Sequence, residues 1–141
     1  MTDCVFCKIS RKEVPANIIY EDSRSMAFLD IHPINIGHTL VIPKKHFENI
    51  FQITEDELAY LSKIVKKMSH AISETFKSDG IKVAQSNGEA AGQVVPHLHI
   101  HVIPFFKNKP AVDEQEFARI RKERSQDKEL DLTTHKIKKN L

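Results

Sequence analysis

The sequence predicts an α+β domain: a five-stranded, mostly antiparallel sheet, one long helix and a charged C-terminal extension. Three observations predict it. Five short apolar runs are each bounded by turn residues. One segment, from Thr54 to Phe76, has its apolar residues at helical spacing. The chain has 141 residues, 40% of them hydrophobic and 28% charged, which suffices for one core without covalent staples. Strands and helix in this order favour an α+β layering. No internal repeat or low-complexity segment interrupts it.

Residues 3–9 read as a short turn or helical segment. Ile18-Ile19-Tyr20 is a strand, Glu21 to Arg24 a turn, and Met26 to Ile31 the returning strand of a hairpin. Pro33 to Gly37 is a loop, and His38 to Ile42 a third strand stopped by Pro43. Thr54 and Glu57 form a capping box. Leu58, Leu61, Val65, Met68, Ile72 and Phe76 then share one helical face, and Asp79-Gly80 ends the helix. Ile81 to Gln85 is a fourth strand, Ser86 to Gln93 a small-residue loop, and His97 to Ile103 a fifth strand ended by Pro104. Residues 1–106 therefore form the domain and 107–141 the extension. Asp113 to Glu129 has weak helical periodicity, with an apolar stripe so thin that it needs a partner surface.

Composition excludes several classes. A formal net charge of +2 argues against a strongly basic nucleic-acid binder. The charge is uneven: residues 107–141 carry ten basic and seven acidic side chains, residues 1–106 eleven and twelve. The first residues lack a secretory pattern, and no run approaches the ~18 apolar residues of a membrane span. A soluble, cytoplasmic protein is expected. Cys4 and Cys7 are the only cysteines, too few for a disulfide framework.

The sharpest chemical feature is His97-Leu98-His99-Ile100-His101-Val102-Ile103. Alternate residues of a strand share a face, so the three imidazoles would point one way and Leu98, Ile100 and Val102 into the core. One strand histidine is ordinarily structural; three in alternation are a site. They suit a metal, or a phosphate site with a nucleophilic histidine. The preceding loop favours phosphate. Gly88 and Gly92 allow close backbone approach, Gln93 offers an amide donor, and no carboxylate beside the triad completes a catalytic metal sphere.

Gly92 to Ile103 resembles the signature of the histidine-triad nucleotide-binding family. Cys4 to Ile9, Pro15-Ala16, Tyr20-Glu21-Asp22, Met26 to Ile31 and Gly37 to His46 resemble other segments of it, so the likeness spans about residues 3–106. The resemblance implies a hydrolase or transferase acting at the α-phosphate of a purine nucleotide conjugate, a phosphoramidate or dinucleoside polyphosphate. His99 would form a nucleotidyl-histidine, His97 would orient it, and His101 would hold the phosphate and protonate the leaving group. Gln93, Gly92 and Asn87 would cradle the phosphate, and Asp30 would bind the ribose hydroxyls. Val5, Phe6, Ile9, Val14, Phe28, Leu29 and Ile31 would form the apolar nucleoside pocket, with His38 nearby. A homodimer with joined sheets is implied, without a nucleic-acid or membrane partner.

Two departures bear on catalysis. Val94 and Ser86 stand where many members carry Ser or Thr, and Asn or Gln, which favours the alternative of a nucleotide-binding adaptor with little turnover. The chain also lacks tryptophan, found in the tail of some members. Cys4-x-x-Cys7 is half a tetrahedral zinc site. The resemblance to bacterial members completes it with His46 and His97, as a structural zinc; a redox pair or two small buried residues are the other readings. No catalytic metal is expected. His32, His70 and His135 read as surface residues, and Lys44 and Lys45 as a solvated turn. In a dimer the tail would swap across and edge the active site.

Overall fold

A computed structural model describes residues 3–109 and 125–141. Five strands form one antiparallel sheet: β1 (Ile18–Glu21), β2 (Ser25–Leu29), β3 (Thr39–Pro43), β4 (Gly80–Ala84) and β5 (Ile100–Phe105), in the spatial order β1-β2-β3-β5-β4. The helices are α1 (Val5–Ser10), α2 (Glu55–Phe76) and α3 (Asp127–Lys138), with a 3-10 turn at Glu89–Ala91.

Strand alternation divides the core into two layers. Ala27, Leu29, Val41, Ile100 and Val102 face α2 and meet its buried stripe of Leu61, Ile64, Val65, Met68, Ala71 and Ile72. Met26, Phe28, Leu40 and Ile42 face the other way and meet Phe6 and Ile9 of α1. The long helix begins as expected, with the Thr54 side chain accepting from the Glu57 N–H at 3.2 Å. It ends earlier, at Phe76, because Lys77 takes the left-handed cap conformation (φ 52°) that the sequence suggested for glycine.

The fifth strand begins at Ile100 instead of His97. The segment before it is diverted: the His97 N–H donates to the Val95 carbonyl at 2.8 Å and the Leu98 N–H to the Phe47 carbonyl at 2.7 Å. His97 and His99 therefore lie outside the ladder, although Leu98, Ile100 and Val102 do enter the core.

The helix expected over 113–129 lies outside the described residues, apart from 125–129, of which 127–129 open α3. Leu130, Thr133 and Ile137 bury its inner face against β1 and α2. Within residues 125–141 the tail thus lies on the β1 side of its own sheet, opposite the β4 edge, and Leu130 and Ile137 join the main core. Among the described residues no helix is long and apolar enough to cross a membrane.

Candidate functional site

The site forms where α1, the loop from Asp30 to His38 and the start of β5 converge. Its centre is His99, 8% exposed. The His99 Nδ1–H donates to the carbonyl oxygen of His97 at 2.8 Å, so in the neutral ring the lone pair sits on Nε2. Phe6 from α1 packs edge-on against this ring, with centroids 5.2 Å apart, and against Phe28 at 5.4 Å.

His101 follows on β5, with its ring centroid 5.1 Å from that of His99. Its Nδ1 lies 2.8 Å from Nε2 of His38, which is almost wholly buried. The Ile34 N–H donates to Nδ1 of His38 at 3.0 Å, so a neutral His38 carries its proton on Nε2. That proton points at Nδ1 of His101 and places the His101 proton on Nε2. Asp30, 4% exposed, lies 3.5 Å from the same His38 nitrogen. Its Oδ1 accepts from the His32 N–H at 2.8 Å. His32 is thus half-buried at the site's edge, whereas His70 and His135 are exposed as expected.

His97 does something else. Its Nε2–H donates to the Pro43 carbonyl at 2.9 Å, and its Nδ1 lies 3.4 Å from Sγ of Cys4 and 3.5 Å from Sγ of Cys7. His46 Nδ1 lies 3.3 Å from Sγ of Cys7. Both ring nitrogens of His97 are thus engaged by Pro43, Cys4 and Cys7, and its contact with the His99 ring is through its main-chain oxygen, whereas the expectation had its imidazole on the same side as those of His99 and His101. Burial drives the His97 pKa down to about 4, which keeps the Nδ1 lone pair available at neutral pH. Burial likewise lowers the pKa of His46 and raises that of the Cys7 thiol.

The four donor atoms of Cys4, Cys7, His46 and His97 all lie within 4.8 Å of one another. Tetrahedral zinc bonds to sulfur and nitrogen imply ligand separations of roughly 3.4–3.8 Å. Three sulfur–nitrogen distances, Cys4–His97, Cys7–His46 and Cys7–His97, are 3.3–3.5 Å and match that geometry. The Pro43 carbonyl is the outer partner that a metal-bound imidazole ordinarily has. A second group of ligand-type side chains is Asp30, His38 and His101. His97, His99 and His101 do not converge on a common point, so a catalytic metal on all three finds no support among the described residues.

The loop after β4 is braced from within. Gln93 is buried; its Nε2 donates to the Glu48 and Val95 carbonyls at 2.6 and 3.0 Å, and its Oε1 accepts from the Gly88 N–H at 2.7 Å. The amide expected to face phosphate is consumed in shaping the loop, as a buried amide must be. Asn87 commits only its oxygen, which accepts from the Ile50 N–H at 2.8 Å and Gln85 Nε2 at 2.7 Å. Gly88 and Gly92 both take φ near 93°, which the turn requires.

Of the expected pocket residues, Phe6, Ile9 and Phe28 are buried together with Val14 packed on them. Val5 and Ile31 are 40% and 39% exposed and lie at the surface. Leu29 is the exception: one residue beyond Phe28, it points to the α2 face and belongs to the opposite core layer. The Ile34 N–H and the His97 and Pro43 carbonyls, which set the three ring orientations, are main-chain groups without a side-chain signature.

The HIT domain family matches residues 11–108, most of the chain, and the protein belongs to that family. A HIT-like protein of Methanocaldococcus jannaschii is 46% identical over 104 residues, 74% of this chain and 80% of its own. An adenylylsulfatase of Arabidopsis thaliana is 42% identical over 102 residues (72% and 52%), and an adenosine 5'-monophosphoramidase of Candida albicans 39% over 105 (72% and 69%). Among solved structures, a Hit-like protein of Bartonella henselae superposes with TM-score 0.88 at 34% identity, covering 100% of this chain and 98% of its own. A zinc-bound histidine triad protein of Mycobacterium smegmatis gives 0.74 at 30% identity (98% and 97%).

Proposed function

We propose that this chain is a nucleotide hydrolase or transferase acting at the α-phosphate of a purine nucleotide conjugate, with His99 as the nucleophile. The observation that carries the reading is the hydrogen bond from His99 Nδ1–H to the His97 carbonyl, which directs the nucleophilic lone pair to Nε2. Attack forms an Nε2–phosphorus bond and breaks the bond to the leaving group, whose departing atom accepts a hydrogen bond from His101 Nε2–H and takes its proton from solvent. Water then attacks the nucleotidyl-histidine, releases a proton to solvent, and His99 leaves with its lone pair restored. His38 sustains that hydrogen bond by holding the proton pattern of His101.

Asp30 accepts the ribose hydroxyls. Phe6, Ile9, Val14 and Phe28 receive the base, with Val5 and Ile31 at its mouth. Gly92, Gln93 and Asn87 shape the phosphate loop. Two relatives' names describe an adenylyl group joined to different partners, which supports a common nucleotide half and a variable leaving group, a phosphoramidate or a dinucleoside polyphosphate. Cys4, Cys7, His46 and His97 hold a structural zinc, which ties α1 to the turn before β5. The likeness to a zinc-bound family member supports this assignment. The chain pairs with a second copy through β4, which has a strand neighbour on one side only and exposes Val83, while α3 packs against the other edge strand.

A second reading, a nucleotide-binding adaptor with little turnover, draws on Val94, an apolar residue 86% exposed where many members offer a hydroxyl. Hydrolysis of an adenosine phosphoramidate by wild type and His99→Ala, each with and without chelator, separates the two. We expect a loss of about 10³-fold or more in the variant, with AMP binding retained. Wild-type binding without turnover would favour the adaptor. Normal turnover by His99→Ala would remove the proposed nucleophile.

A further inference from the structure

α3 lies beyond the residues matched by the HIT domain, and the reaction above gives it no task. Its contacts supply one. The Ser125 N–H, just ahead of the helix, donates to the Ile31 carbonyl at 2.8 Å. Asp131 on α3 accepts from Asn17 Nδ2 at 2.8 Å, and the Asn17 carbonyl accepts the Leu29 N–H at 3.0 Å. The tail is therefore bonded to both chain neighbours of Asp30, directly to Ile31 and through Asn17 to Leu29. Leu130, Thr133 and Ile137, at 4%, 6% and 0% exposure, anchor the helix that carries these bonds. A cavity of about 220 Å³, bordered by Asp30, His38, Ser125 and Glu129, separates the 33–38 loop from α3.

We propose that the C-terminal helix is a positioning segment for Asp30, and that it sets the preference for ribonucleotides over 2'-deoxyribonucleotides. The proposal rests on the assignment of Asp30 to the ribose. A site built to accept a hydroxyl rejects the analogue lacking it, but only while its acceptor is held in place. A carboxylate released on one side would lose the contact with the 2'-hydroxyl, while the base and phosphate contacts persist.

The test compares AMP and 2'-deoxy-AMP affinities by calorimetry in the full-length protein. Ser125→Pro deletes the N–H that holds Ile31. We expect AMP affinity to fall about five-fold, the order of one hydrogen bond, and 2'-deoxy-AMP affinity to fall clearly less, because only its 3'-hydroxyl meets Asp30. Asp131→Ala, an exposed change that cuts the Asn17 bond without threatening the fold, should move the ratio about two-fold in the same direction. Asp30→Ala, which removes the acceptor, is the reference and should abolish the preference. If Asp30→Ala keeps the wild-type ratio, the ribose assignment fails and the proposal with it. If Asp30→Ala removes the preference while both tail variants keep it, the ribose assignment stands and the tail proposal is overturned. Equal weakening of both nucleotides by the tail variants also overturns it, because a merely structural helix would act that way.

Discussion

Two imidazole clusters lie within five residues of each other, and they use the same side chain for opposite purposes. In one, His97 meets Cys4, Cys7 and His46; in the other, His101 meets His38 and Asp30. Both are largely buried. The difference lies in what occupies the second ring nitrogen. The Pro43 carbonyl accepts the hydrogen bond of the His97 Nε2–H and turns a lone pair toward two thiols, which is a ligand's posture. The Ile34 N–H fills the His38 lone pair at Nδ1 and turns a proton toward His101, which is a relay's posture. A main-chain group in each cluster decides whether a histidine presents a lone pair or a proton.

The contrast is broken most directly from the sulfur side. Cys7→Ala removes a thiol within 3.5 Å of both His46 and His97. A metal-holding cluster predicts one zinc per chain in the wild type, none retained in the variant, and a stability loss of about 3 kcal/mol. For a chain of this length that corresponds to a Tm roughly 10 °C lower. Nucleotide affinity should weaken too, because Phe6 stands between Cys4 and Cys7 on α1 and packs on His99. Wild-type protein without zinc after expression in zinc-supplemented medium, with unchanged Tm in the variant, would reduce the cluster to two buried thiols beside two imidazoles.

The other cluster is sharpened by His38→Asn. The shorter amide keeps an acceptor for the Ile34 N–H but does not reach His101. We expect kcat to fall roughly 10- to 100-fold with little change in AMP affinity or Tm, the usual cost of removing an outer hydrogen-bond partner. A KM effect without a kcat effect would show that His38 shapes the pocket rather than the proton pattern. Zinc content should not change in this variant.

Much of the fold was legible in side chains. The five strands, the long helix and its Thr54 cap follow from apolar periodicity and capping chemistry, which are local. The zinc-type cluster was legible as residue types but not as geometry, because strand alternation put His97 on the substrate side. Its turn is dictated by main-chain bonds to Val95 and Phe47, the second from a distant segment. Gln93 misled for a similar reason: a side-chain amide looks available until the loop around it closes. Leu29 was misplaced by treating Phe28-Leu29 as one patch, which the period of two forbids. The site of α3 was not legible, because its stripe of Leu130, Thr133 and Ile137 is sparse and its partner surface is remote in sequence.

A third polar convergence, half-buried, sharpens the comparison by doing neither job. Asp22, in the β1–β2 turn, accepts from the hydroxyls of Tyr20 and Tyr60 at 2.7 and 2.5 Å and from the Arg24 and Ser25 N–H groups at 2.8 and 2.7 Å. It ties the hairpin to α2, far from both histidine clusters in its chemistry: no imidazole or thiol takes part. Burial alone would raise its pKa, but the donations from Tyr60, Tyr20 and the two N–H groups outweigh burial and hold it well below the usual carboxylate range. The same hydrogen bond pushes the Tyr20 phenol up to about 12. Because the folded-state pKa is depressed, Asp22 contributes its stability above the unfolded value near pH 4, and that stability is lost as pH falls through the lower folded value. Asp22→Asn should therefore cost about 1.5 kcal/mol at neutral pH, and the gap to wild type should narrow between about pH 4 and pH 2 in urea melts. Zinc content and kcat should stay at wild-type values. A constant gap across that range would mean that the turn depends on the shape of the side chain and not on its charge.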